Sequence, residues 1–115
     1  MKRGNKRKFG RERDQRTALY KSLATALIDH GRIKTTRAKA KTITSYVDKL
    51  VTRAKKNDLA SRRVLASRLG VKAVIKLMGE IAPKFEGRQG GYTRVIPMER
   101  RQSDGSQMAL VEFTY

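Results

Sequence analysis

The sequence predicts an α+β fold, and three observations carry that prediction. Apolar residues recur at helical spacing between Asp14 and Pro83, and the pattern changes to period two beyond Lys84. A short β-branched segment, Arg32-Ile33-Lys34-Thr35, interrupts the helices early and needs strands from elsewhere to pair with. At 115 residues the chain is long enough for one modest core.

Past Met1, residues 1–13 contain one large apolar side chain, Phe9. They cannot bury enough surface to offset chain entropy, so an N-terminal arm is expected ahead of a single domain spanning 14–115. The arm carries Lys2, Arg3, Lys6, Arg7, Lys8, Arg11 and Arg13. Gly4 and Gly10 let its backbone follow a groove, and Phe9 is placed to stack or wedge.

Asp14 is a plausible N-cap for a first helix whose stripe is Leu19, Leu23, Ala26 and Leu27, widened by Ala18, Ala24 and Ile28. Arg16 and Lys21 sit off the stripe and extend the basic surface. Gly31 suits the left-handed residue after the helix end. Thr35 or Thr36 caps the next helix, with apolar positions at Ala40, Ile43, Val47, Leu50, Val51 and Ala54. Asn57 ends it and Asp58 caps a third helix along Leu59, Leu65, Ala66 and Leu69, up to Gly70. A fourth follows through Val71, Val74, Leu77, Met78 and Ile81, stopped by Pro83. Two helices joined at Gly70 raise a helix-turn-helix reading, but the second offers only Lys72 and Lys76 to a groove, and plain packing is the better account.

Phe85 to Gly91 is loop chemistry. Tyr92 to Ile96 and Met108 to Tyr115 then read as strands of a hairpin, with Ser103-Asp104-Gly105-Ser106 in a long tip loop. Ala109, Val111, Phe113 and Tyr115 share one face by period two, and that face should cover the helices.

Twenty-eight Lys and Arg face ten acids, a net charge of +18, of which residues 1–57 carry +14. Such self-repulsion calls for a large anionic partner, lying against the first half of the chain. No cysteine is present, which excludes disulfides and thiolate chemistry. No apolar run approaches the roughly 18 residues of a membrane span. The basic start lacks a secretory core, and Gly4, Gly10, Glu12 and Asp14 break up a transit-type helix, so a cytoplasmic protein is expected.

Catalytic machinery is hard to assemble. His30 is the single histidine and sits at a helix end, and the carboxylates are scattered with no metal or acid–base motif. Gly87, Gly90 and Gly91 match no phosphate-loop fingerprint. The expectation is no enzyme, no cofactor, no metal, no membrane and no small-molecule substrate. Nucleic acid fits better. The stretch Gly31 to Lys41 carries five positive charges and no negative one. Its Thr36 opens a helix N-terminus, and Lys34, Arg37, Lys39 and Lys41 supply charge for a phosphate. A solvated helix face explains Lys39 and Lys41 more blandly. In Gly90-Gly91-Tyr92-Thr93-Arg94, Tyr92 offers a ring and Arg88 and Arg94 bracket it, although a tight turn explains the glycines equally well. A flexible arm, with no helix of base-reading side chains, favours RNA over DNA.

Gln15-Arg16-Thr17-Ala18-Leu19, Leu27-Ile28-Asp29-His30, Ile33-Lys34-Thr35-Thr36 and Ala38-Lys39-Ala40-Lys41 resemble the family of bacterial large-subunit ribosomal proteins numbered seventeen. So do Lys49-Leu50-Val51-Thr52, Ala54-Lys55, the Arg62-Arg63 pair, Gly90-Gly91-Tyr92-Thr93-Arg94, Asp104-Gly105 and Met108-Ala109-Leu110-Val111-Glu112. The match runs in order along nearly the whole chain. It departs at Met1-Lys2-Arg3, Gln15-Arg16 and Gly31, so RNA contact at the arm and Arg16 carries over by charge and not through an imidazole.

The resemblance implies a two-layer α+β fold with a small mixed three-stranded sheet. It implies a structural constituent of the large ribosomal subunit that binds large-subunit ribosomal RNA, beside other ribosomal proteins near the mouth of the peptide exit tunnel. Candidate contacts are the arm, Arg16, Lys21, Lys34, Thr35, Thr36, Arg37, Lys39, Lys41, Arg62, Arg63, Arg88, Gly91, Tyr92 and Arg94. The rival readings are a free-standing nucleic-acid-binding architectural protein and an enzyme acting on an anionic substrate.

Overall fold

Helix α1 (Arg13–His30) ends where Gly31 takes a φ of +83°, a conformation that costs a side chain more than it costs glycine. The Gly31 N–H closes the last turn on the Leu27 carbonyl at 2.8 Å. The chain then leaves as strand β1 (Arg32–Thr36) and turns at once into helix α2 (Arg37–Ala54). Helix α3 (Leu59–Arg68), helix α4 (Val71–Lys76) and strands β2 (Thr93–Met98) and β3 (Met108–Phe113) complete the order in this computed structural model, which describes residues 13–115. The arm expected at 1–13 lies outside the described residues apart from Arg13, which is the first residue of α1. Asp14 therefore falls inside the first turn and does not cap it, although a negative charge there still faces the positive end of the helix dipole.

Two predicted boundaries hold at the level of hydrogen bonds. Thr36, not Thr35, caps α2, its hydroxyl accepting from the Lys39 N–H at 3.4 Å. Asn57 adopts a φ of +52°, and the Asp58 carboxylate accepts from the Ser61 N–H at 2.7 Å to start α3. Pro83 does not stop the fourth helical segment. After α4 the chain continues as a π turn (Leu77–Ile81) and a 3-10 turn (Ala82–Phe85), with Pro83 near the start of the latter, where a missing N–H breaks no bond.

The α+β class is as expected, but the sheet is antiparallel throughout and not mixed. Its order is β1-β3-β2, with Ile33 opposite Val111 and Val95 opposite the same Val111. A mixed sheet would need β1 beside β2, which run the same way; β3 returns between them and opposes both. The Pro97 of β2 is tolerated because β2 is an edge strand.

Helix α2 lies across one face of the sheet and touches all three strands. Its stripe of Ala40, Ile43, Val47, Leu50, Val51 and Ala54 is buried without exception, against Leu27 and Ile28 of α1, Leu65 of α3, Leu77 and Ile81 of the fourth segment, and Val111 of β3. Period two places Ala109, Val111 and Phe113 in that core as expected, but Tyr115 is 52 % exposed because the strand ends before it. Ala66 and the helix-opening residues Leu59 and Val71 are also exposed, so helical spacing overstated the width of those two stripes.

Candidate nucleic-acid interface

The antiparallel pairing brings Thr36 opposite Met108, so the start of α2 meets the hairpin tip loop. The Arg37 N–H donates to the Gln107 carbonyl at 2.9 Å, tying helix and loop together. The loop folds on itself. Arg101 N–H donates to the Ser106 carbonyl and Gly105 N–H to the Arg101 carbonyl, both at 2.8 Å, with Gly105 at a φ of +72°. Asp104 accepts from the Ser106 N–H at 3.1 Å, which, ahead of the nearby Arg101 charge, holds its carboxyl below the usual range.

Between helix and loop runs an open groove of about 840 Å³. Arg37 and Lys41, one turn apart, line one wall, and Arg100 lines the other, its Nη1 donating to the Gly105 carbonyl at 2.9 Å. The remaining lining comes from hydroxyl, amide, glycine and alanine residues, Thr36, Thr42, Ser45, Ser106 and Gln107 among them, and no carboxylate of the described residues lines it. Three cations from two elements, with neutral donors between them, are suited to a chain of phosphates.

Of the residues predicted from sequence, Thr36, Arg37 and Lys41 come together here. Lys34 lies in an adjoining hollow on the far face of the sheet. Lys39 is half-buried and lines neither concavity, and Thr35 is buried on the core side of β1. Two first-turn amides of α2, those of Arg37 and Lys39, are already engaged, so the groove's side chains and not the bare helix end carry the charge. Arg13 and Lys21 are exposed on α1 with Arg16 half-buried, and Arg62 and Arg63 are exposed on α3, in neither concavity.

The Tyr92 prediction is corrected. Its ring is 2 % exposed, packed on Phe85 at 5.0 Å between centroids, and unavailable for stacking on a base. Its hydroxyl donates to the Arg88 carbonyl at 3.1 Å, and Lys55 Nζ bonds both that carbonyl and the tyrosine oxygen. Hydrogen bonding at the Gly90 backbone, ahead of that from Thr52 and Lys55, lowers the phenol's pKa. Arg88 remains exposed beside Phe85, whereas Arg94 is held by Glu112 at 2.8 Å. Gly91, exposed at a φ of +64°, uses its carbonyl to accept from Thr114 Oγ1 at 3.0 Å.

Arg100 and the loop amide Gln107 were missed by sequence reasoning. Arg100 lies in the tip loop between β2 and β3, and it comes beside α2 only because Thr36 pairs with Met108 and carries that loop to the helix start.

The fold and this surface define a strongly basic α+β protein, with no cluster of metal-ligating residues and no helix long and apolar enough to cross a membrane among the described residues. Residues 19–114 match the family model of ribosomal protein L17. The chain is 51 % identical over 108 residues to the large ribosomal subunit protein bL17 of Persephonella marina, covering 91 % of this chain and 87 % of that one. It is likewise 51 % identical over 108 residues to the Thermus thermophilus protein of that name, 92 % of each chain, and 46 % identical over 112 residues to that of Nautilia profundicola, 93 % of this chain and 92 % of that one. The chain belongs to the ribosomal protein L17 family, a family of structural ribosomal proteins and not of enzymes.

Proposed function

We infer that this chain is a structural constituent of the large ribosomal subunit of a bacterial cytoplasmic ribosome, and that it binds large-subunit ribosomal RNA through two basic surfaces. One is the N-terminal arm of residues 1–13, whose charge density suits it to a cleft between RNA helices. The other is the groove between α2 and the hairpin tip, where Arg37, Lys41 and Arg100 converge with no carboxylate of the described residues among the lining. That convergence is the observation that carries the reading, since a merely solvated charged face has no reason to exclude acids from a concave surface. Arg62, Arg63 and Arg88 add exposed charge elsewhere, and the helical core holds these elements in register. The family resemblance supports a place beside other ribosomal proteins near the exit-tunnel mouth.

The test is a charge reversal that spares the fold. Arg37→Glu with Lys41→Glu changes two exposed side chains, and the new acids near the helix start favour the dipole. Sedimentation of lysate through a gradient after a moderate salt wash should move the variant out of the large-subunit fraction while its melting temperature holds. Undiminished occupancy would overturn the groove as an RNA contact. Wild-type protein travelling free of the subunit would favour the architectural rival.

A further inference from the structure

Strand register decides which side chains share the sheet face that α2 leaves open. Three rows result: Arg32, Glu112 and Arg94; Lys34, Leu110 and Ile96; Thr36, Met108 and Met98. The intervening positions, such as Val111, face the core, so the open face has an apolar centre with charge along one end and one side. Ile96 and Met98 keep 38 % and 42 % of their surface exposed. Over the third row opens a hollow of about 460 Å³, lined by the exposed Met98 and the nearly buried Met108, with Lys34, Arg100, Arg101 and Glu99 around it. That volume lies within the roughly 300–1,000 Å³ of small-molecule clefts. Arg101 rests on Met108, its Nη2 at 3.4 Å from Sδ, and is paired with Asp104 at 3.3 Å. Glu112 is occupied by Arg94. Among the described residues these are the two ion pairs, which leaves Arg32, Lys34 and Arg100 without a carboxylate partner beside the apolar centre.

We propose that this outer sheet face receives an unpaired nucleotide of ribosomal RNA, its base on the exposed Met98 and Ile96 side chains and its phosphates on Lys34 and the neighbouring arginines. The proposal rests on the RNA-binding reading above and adds a site of a different kind, since no large apolar side chain lines the α2 groove. Charge selects the occupant. An apolar protein segment laid over this face would strip water from three cations and return nothing to them. A nucleotide supplies both halves, a flat apolar ring and an anion within one residue's reach. A duplex does not, because its base faces are already stacked.

The test uses the full chain and two fluorescently labelled RNAs with equal numbers of phosphates, a hairpin with an apical loop and a blunt duplex, read by anisotropy. The double variant Ile96→Ser, Met98→Ser alters two partly exposed side chains, and a thermal melt checks its fold. Affinity for the looped RNA should fall about tenfold, the loss expected from exposing part of two aliphatic side chains, with duplex affinity and salt dependence unchanged. Equal losses on both RNAs, or no loss, would overturn the proposal. Normal RNA binding combined with failure to join large subunits would assign the face to a protein neighbour and overturn it too. If the unaltered chain shows no salt-dependent affinity for either RNA, the broader RNA-binding reading falls instead.

Discussion

If Arg37 and Lys41 meet phosphates, neutralising them has a calculable signature. Each cation that binds a phosphate releases counterions and steepens the fall of log affinity with log salt by about 0.9 on duplex and about 0.7 on single strands. Arg37→Gln with Lys41→Gln should therefore flatten the slope by about 1.4–1.8. Between about 50 and 200 mM salt, the affinity gap between wild type and variant should narrow roughly seven- to twelvefold. Both side chains are exposed and neither carries an ion pair among the described residues, so the fold should change by less than about 0.5 kcal/mol. Arg100 is left intact because it also braces the tip loop through the Gly105 carbonyl. The assay is anisotropy on a fragment of large-subunit RNA at four or more salt concentrations. A lower affinity at an unchanged slope would mean that the two residues act through shape and not phosphate contact, and would refute the counterion argument.

Three further outcomes test the scaffold. Gly31→Ala meets no atom within 4 Å, so its cost is the left-handed backbone alone, about 1–2 kcal/mol, seen as a lower urea midpoint at constant m-value; an unchanged midpoint would contradict the strain. Phe85→Ala removes the ring shared by Tyr92, Phe113 and Tyr115 and should cost roughly 3–5 kcal/mol in the same melt. Asp48 is half-buried on α2, and desolvation raises its pKa despite the hydrogen bond it accepts from Thr93 Oγ1 at 3.0 Å. A carboxyl raised in the folded state binds its proton more readily there than when unfolded, so its charge opposes folding above the folded pKa and the penalty fades as pH falls through it. Asp48→Asn should match or exceed wild-type stability at neutral pH and lose that advantage in acid, followed by melts across pH.

Local chemistry made much of this legible. Gly31, Thr36, Asn57 and Asp58 act within one turn of themselves, so their roles could be read without knowing the fold. The α2 stripe was legible because one face of the helix is buried and Arg37, Lys41, Ser45 and Lys49 on the other are exposed, which leaves a clean helical period. What escaped depends on distant partners. Tyr92 looked like a ligand platform beside two glycines and two arginines, but Lys55, 37 residues away, and Phe85 claim it for the core. Pro83 looked like a stop because a π turn ahead of it is not visible in spacing. The groove itself joins residues about 60 positions apart, and Arg100 acquires its neighbours only through the register of β1 on β3.

Crosslinking RNA to protein in intact large subunits, read residue by residue, tests the central claim most directly. Crosslinks should fall on Arg37, Lys41, Arg100 and the arm from Lys2 to Arg13. Crosslinks confined to α3 and α4, with the groove and arm silent, would contradict it.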